Sequence, residues 1–389
     1  ASFRFTGNIR GIPEGTVVFP NEPIVQVTGN LIECQLVETV LLCHINFQTL
    51  IATKAARIWE ASKRGTVIEF GLRRAQGPDG ALSACRAAHI GGVAGTSNVL
   101  AAALTGMPAK GTHAHSWIQS FDSELEAFRE YARIFPETSI LLVDTYDTLN
   151  SGLPNAIKVA RELEKRGHRL MGIRLDSGDI ASLSQKAREM LNSESLSYVK
   201  IVASNELDEF SIKEILARGG KVDIWGVGTR LITGAGAEGC ALGGIYKRAE
   251  LNGVPKIKLS SDLDKATTPG LKKIVRFYNE SGGMEADVVA ENSEDLSRDE
   301  LRIVDPANPD RPEKFDGSIR EDLLHSIVES GGLVYGFPNL DQIRKRRTEQ
   351  LSCLCRDCRC MDNAAAYKVL YSENMWLLRE RMVRQETLR

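Results

Sequence analysis

A regular alternation of short apolar runs and amphipathic helical stretches between residues 140 and 226 constrains the fold most strongly. Predicted strands at 140–144, 169–175, 199–203 and 222–226 alternate with predicted helices at 154–166, 180–191 and 209–218. Repeated strand–helix units at this spacing predict a parallel barrel or sheet with right-handed crossovers. The carboxyl ends of such strands meet at one edge, where α/β folds build their sites.

Four short motifs stand where apolar runs end. They are Gly-Thr-His-Ala-His-Ser at 111–116, Val-Asp-Thr-Tyr-Asp at 143–147, Arg-Leu-Asp-Ser-Gly-Asp at 174–179 and Gly-Val-Gly-Thr at 226–229. Glycines let backbone N–H groups approach an anion closely, and hydroxyls and cations add further contacts. The motifs together predict an edge that handles phosphate, although a glycine string alone is also typical of an ordinary tight turn.

The flanking regions have a different pattern. Residues 3–34 consist of short strand-like runs separated by Pro and Gly, and the Asn252-Gly253 pair predicts a hairpin within 245–259. We therefore predict an α/β fold with three parts. These are an irregular parallel α/β barrel at 35–244, a discontinuous β-rich sandwich domain formed by 1–34 and 245–340, and a helical carboxyl-terminal tail with a cysteine cluster at 341–389.

Composition narrows the possible partners. Among 389 residues, 49 Lys and Arg nearly balance 51 Asp and Glu, which gives a formal charge of −2. No global field would recruit nucleic acid or an anionic membrane, so phosphate binding must be local. We found no window of about 18 apolar residues and no signal-like start. We therefore expect a cytoplasmic protein without nucleic-acid or membrane partners.

Charged residues of opposite sign occur together in the third motif. Arg174 and Asp176 share one side of a strand end, because side chains alternate with period two. A cation and a carboxylate could then face one substrate, although a structural salt bridge at the rim would have the same pattern. Asp144 and Asp147 repeat the arrangement, and carboxylates at several strand ends suit Mg²⁺ shared with phosphate oxygens.

Two histidines lie two residues apart, at His113 and His115. No third ligand follows at the spacing of a zinc site. Beside phosphate-binding turns, a histidine is better interpreted as a nucleophile or an acid–base group. A structural role remains open, more so for His113 than for His115. Phe70, Arg73 and Arg74 add an aromatic ring and two cations that would point to opposite faces of an extended segment.

Together these motifs, with Glu69-Phe70-Gly71-Leu72-Arg73-Arg74-Ala75-Gln76-Gly77-Pro78-Asp79-Gly80, resemble the nicotinate phosphoribosyltransferase family. The resemblance covers roughly residues 3–350 in order and spacing. It implies a type II phosphoribosyltransferase that acts in NAD salvage. Such an enzyme converts nicotinate and phosphoribosyl pyrophosphate into nicotinate mononucleotide and pyrophosphate, with ATP as co-substrate. It also implies Mg²⁺ and a homodimer with active sites at the interface.

The resemblance implies a role for each matching residue. His115 matches the histidine that ATP phosphorylates, and Asp144 and Asp176 match carboxylates around ribose and Mg²⁺-pyrophosphate. Ser97 lies where relatives that use nicotinamide carry an acidic residue, which would repel nicotinate. The other implied substrate contacts are an aromatic ring stacked on the pyridine, cations near its carboxylate and the phosphates, and phosphate-binding turns: Phe70, Arg73, Arg74, Arg174, Ser204, Asn205, Gly228 and Thr229.

Two departures from the family pattern leave alternatives open. The sequence begins at Ala1 without the amino-terminal Asp-Leu-Tyr-type segment of the family, so we expect part of the β-rich domain to be missing. A truncated, inactive paralogue that binds a nucleotide or partner is therefore one alternative, and another phosphate-binding barrel enzyme is a second. Cys353, Cys355, Cys358 and Cys360 could bind zinc, but a single short hairpin rarely places four ligands tetrahedrally. Reactive surface thiols or drift in a tail would also produce such a cluster.

Overall fold

The computed structural model describes residues 3–236, 239–259, 267–297, 301–315 and 319–388. The chain divides into two compact units, one formed by residues 45–242 and the other by residues 1–44 together with 243–389. The predicted boundaries lay at 34/35, 244/245 and 340/341. The observed division therefore differs by ten residues at the amino-terminal side and by two at 242/243, and it sets no boundary at 340/341.

The unit of residues 45–242 contains the predicted parallel sheet. Its six strands are β3 (Thr66–Glu69), β4 (Gly95–Thr96), β5 (Ile140–Leu142), β6 (Gly172–Leu175), β7 (Lys200–Ala203) and β8 (Ile224–Val227). They pair in the order β4-β3-β8-β7-β6-β5, and every pairing is parallel. The described residues show no pairing between β4 and β5, so closure into a barrel remains a prediction.

Helices connect these strands. They are α3 (Gly77–Gly91), α4 (Val99–Thr105), α5 (His115–Ile118), α6 (Glu124–Ile134), α7 (Leu153–Lys165), α8 (Ile180–Ser193), α9 (Glu209–Ala217) and α10 (Thr229–Ile232). A 3₁₀ turn at Leu72–Arg74 and a π-helical turn at Thr148–Gly152 complete the set. The strands are nearly continuous apolar runs, as β5 illustrates with all three residues buried, because a parallel sheet is covered on both faces.

The longest helical segment corrects one prediction. Residues 31–64 contain neither Gly nor Pro, yet they form two separate helices, α1 (Leu31–Leu36) and α2 (Glu38–Ala61). By length and composition Leu31–Ala61 is apolar enough to cross a membrane, with a window of mean hydropathy 1.3, so the statement that no such window exists was wrong. That window is mostly exposed, with 6% of it buried, and the fully buried residues of α2 are Ile51, Ala55 and Ile58.

Glycines interrupt the helical stretch between residues 81 and 107. The helix α3 ends at Gly91, β4 occupies Gly95–Thr96, and α4 follows. A side chain at Gly95 would place its Cβ 2.7 Å from the carbonyl oxygen of Pro108. The strand therefore forms where only glycine permits the chain to approach its neighbour.

The discontinuous unit contains three antiparallel or mixed sheets. The first joins β1 (Asn8–Gly11), β2 (Val25–Thr28), β15 (His325–Glu329) and β16 (Gly332–Leu333). The second is the predicted hairpin, with β9 (Glu250–Leu251) paired to β10 (Val254–Pro255). Both turn residues have positive φ, 52° at Asn252 and 75° at Gly253, which favours this Asn-Gly pair.

The third sheet is the centre of this unit. It has the order β13-β17-β12-β11-β14, formed by β11 (Lys272–Tyr278), β12 (Met284–Glu291), β13 (Ile303–Val304), β14 (Ile319–Asp322) and β17 (Lys368–Ser372). Separate apolar clusters cover its two faces, with Phe277 and Val288 in one and Val289 and Met375 in the other. Burial on both faces explains why β12 carries an apolar run from Ala286 to Ala290, interrupted only by Asp287.

The carboxyl-terminal region is part of this sheet. Two helices lie here, α11 (Leu340–Cys353) and α12 (Glu373–Thr387). Between them β17 pairs in parallel with β12 and antiparallel with β13. Residues 341–388 therefore do not form a separate helical tail, because strand pairing inserts β17 into the middle of the sheet.

Candidate active site

The site forms at the carboxyl ends of the six parallel strands. Each strand delivers a residue that the sequence singled out, at or just beyond its last position: Phe70 after β3, Ser97 after β4, Asp144 after β5, Asp176 after β6, Ser204 after β7 and Gly228 after β8. Parallel strands place these ends on one edge of the sheet. The strand order places three of the four motifs, at 143–147, 174–179 and 226–229, on this edge. The motif at 111–116 directly follows none of the six strands, and contacts of Thr112 and His115 bring it to the edge.

Arg174 is the centre of the polar network. Its guanidinium lies 2.8 Å from a carboxylate oxygen of Asp176 and donates to the hydroxyls of Ser204 and Thr112, each at 2.8 Å. Its Cζ lies 5.6 Å from the centre of the Phe70 ring. The predicted pairing of Arg174 with Asp176 is present, and both side chains keep some exposure, 16% and 25%.

Asp176 is held ionised by this network. Burial by itself would raise the pKa of its carboxyl group. The charge of Arg174 and hydrogen bonds from Ser204, at 2.5 Å, and Arg174 outweigh burial and hold the pKa below its usual range. The group is therefore a carboxylate at neutral pH.

Asp144 connects two strand ends. Its Oδ2 accepts the backbone N–H of Asp176 at 2.8 Å and the Ser177 hydroxyl at 2.6 Å. Its Oδ1 is buried and accepts no hydrogen bond from any described residue. Burial of a carboxylate oxygen without a hydrogen-bond donor costs free energy. A cation or a substrate hydroxyl would satisfy this oxygen. This oxygen is the clearest indication of a ligand in the site.

His115 faces both carboxylates from the first residue of α5. Its Nε2 lies 3.6 Å from Asp176 Oδ2 and 4.0 Å from Asp144 Oδ1. Its Nδ1 contacts the Thr145 hydroxyl at 3.0 Å. The side chain is 39% exposed, so solvent or a substrate can reach it. The sequence missed Thr112, Thr145 and Ser177 as contacts, although all three lie inside the motifs.

His113 has a structural role. It is buried, and its Nε2 accepts the backbone N–H of Leu142 in β5 at 3.2 Å. Burial lowers the pKa of the imidazole to about 4, so the ring is neutral at physiological pH. It packs edge-on against Tyr131, with ring centres 4.6 Å apart. His113 therefore fixes the loop that carries His115, and only His115 faces the site.

The Phe70 ring rests on the end of β8. A Cβ at Gly226 would lie 2.6 Å from the ring, so only glycine leaves room for it. Glu69 is fully buried and organises the turn, because its carboxylate accepts hydrogen bonds from the Gly71 backbone and from Thr96. The backbone N–H of Ser97 donates to the Glu69 carbonyl oxygen at 2.9 Å. Glu69 thus ties the Phe70 turn to the Ser97 turn.

Arg73 and Arg74 lie in the 3₁₀ turn, not in the extended segment that was expected. They therefore do not alternate between opposite faces. Both are exposed, and neither pairs with a carboxylate in the part of the chain that the structure describes. Two exposed cations without partners, on a turn next to Phe70, are available to an anionic ligand.

The last two turns supply backbone groups and hydroxyls. Asn205 follows β7 with a positive φ of 86°. Gly228 precedes α10, and the Thr229 hydroxyl donates to a Glu206 carboxylate oxygen at 3.4 Å. These turns lie at the ends of neighbouring strands, as the phosphate-binding prediction requires, and that role stays a prediction.

Comparison with known proteins identifies relatives along the whole chain. The nicotinate phosphoribosyltransferase (NAPRTase) family model matches residues 66–293, the N-terminal domain model residues 1–46 and the C-terminal domain model residues 271–379. An N-terminal domain match is thus present. The expectation of a missing amino-terminal segment gave this part of the chain too little weight.

Individual relatives agree with these matches. A nicotinate phosphoribosyltransferase of Bacillus subtilis is 42% identical, over 93% of this chain and 74% of the relative. The crystal structure of the human nicotinic acid phosphoribosyltransferase superposes with a TM-score of 0.85 at 31% identity, covering 97% of this chain and 82% of that one. A structure described as a nicotinate-nucleotide pyrophosphorylase from Pyrococcus furiosus gives 0.73 at 29%, covering 90% and 81%.

Proposed function

The chain belongs to the nicotinate phosphoribosyltransferase family of enzymes, and from that premise we propose its reaction. Nicotinate displaces pyrophosphate from phosphoribosyl pyrophosphate and gives nicotinate mononucleotide. The observation that carries the proposal is the contact of His115 with Asp144 and Asp176 at the strand ends, beside Arg174. Cations, carboxylates and a nucleophilic histidine are the groups that phosphoribosyl transfer coupled to ATP requires.

The pyridine subsite is proposed between Phe70 and Ser97. Phe70 would stack on the flat ring, while the exposed Arg73 pairs with the nicotinate carboxylate and Arg74 adds positive potential. Guanidinium groups bind carboxylates through paired hydrogen bonds. The neutral hydroxyl of Ser97 would accept nicotinate without repulsion. We therefore expect nicotinamide to be a poor substrate.

The ribose and phosphates are proposed to lie over the remaining strand ends. Displacement of pyrophosphate builds positive charge on the ribose and negative charge on the leaving group. Asp144 and Asp176 would stabilise the first, and Arg174 the second. Ser204, Asn205, Gly228 and Thr229 would contact the phosphate groups. The position of each residue at or near a strand end supports these roles, which the family resemblance implies.

We propose that two carboxylate oxygens would bind a divalent cation. They are the unpartnered Oδ1 of Asp144 and the Oδ2 of Asp176, and oxygen ligands of this type suit Mg²⁺. Bound Mg²⁺ would neutralise the pyrophosphate charge. The protein itself orients both carboxylates, through the Asp176 backbone N–H and the Ser177 hydroxyl on Asp144.

ATP coupling is proposed to run through His115. We assign the tautomer in which Nδ1–H donates to the Thr145 hydroxyl, and in that tautomer the lone pair on Nε2 can attack the γ-phosphorus of ATP. The new N–P bond forms as the bond to the β,γ-bridging oxygen breaks, and ADP leaves with that electron pair. Water later cleaves the phosphohistidine to release inorganic phosphate.

The reaction is tested by measuring nicotinate mononucleotide formation with and without ATP. We expect product from nicotinate, stimulation by ATP, and label from γ-labelled ATP on the protein. The H115A variant should lose both the label and the stimulation. H168A is a matched control, because His168 also contacts a carboxylate, Glu137 at 2.6 Å, on the surface of the same unit. Absence of product from nicotinate would contradict the proposed reaction, and label retained on H115A would contradict the role of His115.

We also propose that the enzyme is a cytoplasmic homodimer with active sites at the interface, as the family resemblance implies. Four apolar side chains are exposed near the start of the helical segment, at Leu31, Ile32, Leu36 and Val40. Their exposure supports the proposal that a partner subunit covers this surface. Sedimentation of the full chain should give twice the monomer mass. A monomer at micromolar concentration would contradict the dimer.

A further inference from the structure

The loop between α11 and β17 carries a cysteine pair that has no part in the proposed reaction. It contains Cys355-Arg356-Asp357-Cys358, and a 3₁₀ turn at Asp357–Arg359 folds the second cysteine back over the first. The backbone N–H of Cys358 donates to Cys355 Sγ at 3.1 Å. This hydrogen bond brings the backbone of Cys358 against the Cys355 sulfur, so the two cysteines are neighbours in the turn.

The neighbouring cysteines lie outside this contact. Cys353 is the last residue of α11, and Cys360 follows the 3₁₀ turn with an extended conformation. Within the described ranges no group of three His, Cys, Asp or Glu side chains could hold a metal ion. A pair of neighbouring cysteines favours thiol–disulfide chemistry over zinc binding, because zinc needs three or four protein ligands.

The two thiols have different environments. Cys355 is exposed, so a small disulfide can reach its sulfur, which also accepts the backbone N–H of Cys358, whereas Cys358 is partly buried. Burial raises the pKa of the Cys358 thiol to about 11, and the neighbouring Cys355 side chain raises it further. Cys358 therefore stays protonated at neutral pH until Cys355 has reacted.

We propose that Cys355 and Cys358 form a reversible disulfide by exchange with a low-molecular-weight disulfide. The Cys355 thiolate attacks one sulfur of that disulfide and expels a small thiolate, which leaves a mixed disulfide on the protein. Cys358 then loses its proton and attacks Cys355 Sγ, and the second small thiolate leaves. One small disulfide is reduced to two thiols, while two protein thiols are oxidised to one disulfide.

This disulfide is reactive and does not stabilise the fold. It would close a loop of only four residues, and so short a loop restricts the unfolded chain very little. The ends of the segment are already fixed without it, because Leu354 is buried and the backbone N–H of Ala365 donates to the Asp357 carbonyl oxygen at 3.1 Å. We therefore expect oxidation to leave the fold unchanged.

The pairing is tested by equilibrating the full chain with mixtures of reduced and oxidised glutathione. Free thiols are then alkylated, and the protein is digested with trypsin. Cleavage at Arg347, Arg356 and Arg359 separates residues 348–356 from 357–359, so a Cys355–Cys358 disulfide holds these two peptides together. We expect the linked pair in the native protein and in C353S and C360S, and its loss in C355S and C358S.

The order of attack is tested with the single variants. With oxidised glutathione, C358S should accumulate a mixed disulfide at Cys355, whereas Cys358 in C355S should react about tenfold more slowly, since the thiolate is the nucleophile. Linkage of Cys358 to Cys353 or Cys360, or no linked pair in the oxidised native protein, would overturn the proposal. Faster reaction of Cys358 would overturn the assigned order. Circular dichroism of each variant separates these results from misfolding.

Discussion

Two arginine–aspartate pairs in this molecule have nearly the same geometry and opposite characters. Arg174 and Asp176 approach to 2.8 Å at the strand ends, and Arg276 and Asp287 approach to 2.6 Å in the discontinuous unit. The first pair keeps 16% and 25% of its side-chain surface exposed, whereas the second pair has none. Residue type and distance alone therefore do not distinguish an ion pair in a ligand site from a structural ion pair.

The buried pair is satisfied on every side. Beyond Asp287, the Arg276 guanidinium donates to the Gln350 side chain at 2.5 Å and to the Val17 carbonyl oxygen at 2.8 Å. Tyr367 donates to Asp287 at 3.2 Å. Burial, followed by the neighbouring Asp287, raises the pKa of Glu22 to about 10, so this carboxyl group is protonated and adds no charge. Arg276 and Asp287 are therefore fully hydrogen-bonded, although both carboxyl oxygens of the neighbouring Glu22 have no hydrogen-bond partner among the described residues.

The strand-end network is incomplete by comparison. Asp144 has a buried oxygen without a donor, and His115 is 39% exposed. Its hydrogen bonds orient side chains that solvent or a ligand can still reach, and they do not form part of a buried core. Incomplete satisfaction together with partial exposure is thus the physical property that distinguishes the candidate site.

The largest expected effect is on stability, at the buried pair. In R276M, Asp287 loses its partner inside the protein, so we expect a loss of about 3–5 kcal/mol in the free energy of unfolding. In R174M, solvent reaches the remaining carboxylate, so we expect a loss of about 1 kcal/mol. Urea denaturation of both variants measures the difference. Equal losses would show that the distinction between the two pairs is wrong.

The second effect is on activity, at the strand ends. R174K keeps the charge but loses the planar fork that reaches Asp176, Ser204 and Thr112. We expect kcat/KM for nicotinate mononucleotide formation to fall about a hundredfold, in the range for loss of a preorganised donor. The measurement is steady-state kinetics at saturating ATP.

R188K is the matched control for that variant. Arg188 pairs with Asp223 at 2.8 Å with similar exposure, 18% and 30%, and lies outside the candidate site. Its activity should stay within about twofold of the native enzyme, as expected for a partly exposed ion pair. A comparable loss in R188K would mean that Arg174 acts through folding and not through the substrate.

The third effect is the pH dependence of stability from His113. Its pKa is about 4 when folded and about 6.5 when unfolded, so the unfolded state binds more protons between these values. The contribution of neutral His113 to the free energy of unfolding is complete above pH 6.5. It is lost as the pH falls toward 4. Between pH 7.5 and 5 we expect a loss of about 2 kcal/mol that H113Q lacks. Identical pH profiles for the two proteins would contradict the neutral, buried state of His113.

The sequence predicted the parallel sheet and its helices well, because the pattern that indicates them lies within short stretches of the chain. Each strand–helix pair shows its own periodicity, and parallel strands must place their ends on one edge, so Asp144, Asp176 and Ser204 could be grouped from the sequence. The site's hydroxyl contacts could not be found in this way. Thr112 and Thr145 follow no periodic pattern, and their partners lie 62 and 30 residues away.

Long-range pairing accounts for the remaining differences. The strand β17 pairs with β12 and β13, which lie more than 60 residues earlier, so the local pattern indicated only a helical tail. The 3₁₀ turn of Arg73 and Arg74 depends on Gly71, where a Cβ would lie 2.6 Å from Ile232. Contacts of this kind exist only after the distant segment has folded.

The smallest effect tests whether Thr145 positions His115. T145V keeps the shape but removes the hydroxyl that contacts Nδ1 at 3.0 Å. A neutral hydrogen bond contributes about 1 kcal/mol, so phosphorylation by ATP should slow about fivefold, and T145S should restore it. Phosphorus NMR of the labelled protein should also show phosphate on both ring nitrogens in T145V and on Nε2 alone in the native enzyme. Exclusive Nε2 phosphorylation in T145V at the native rate would show that Thr145 does not orient the ring, and the strand-end network would then rely on its carboxylates alone.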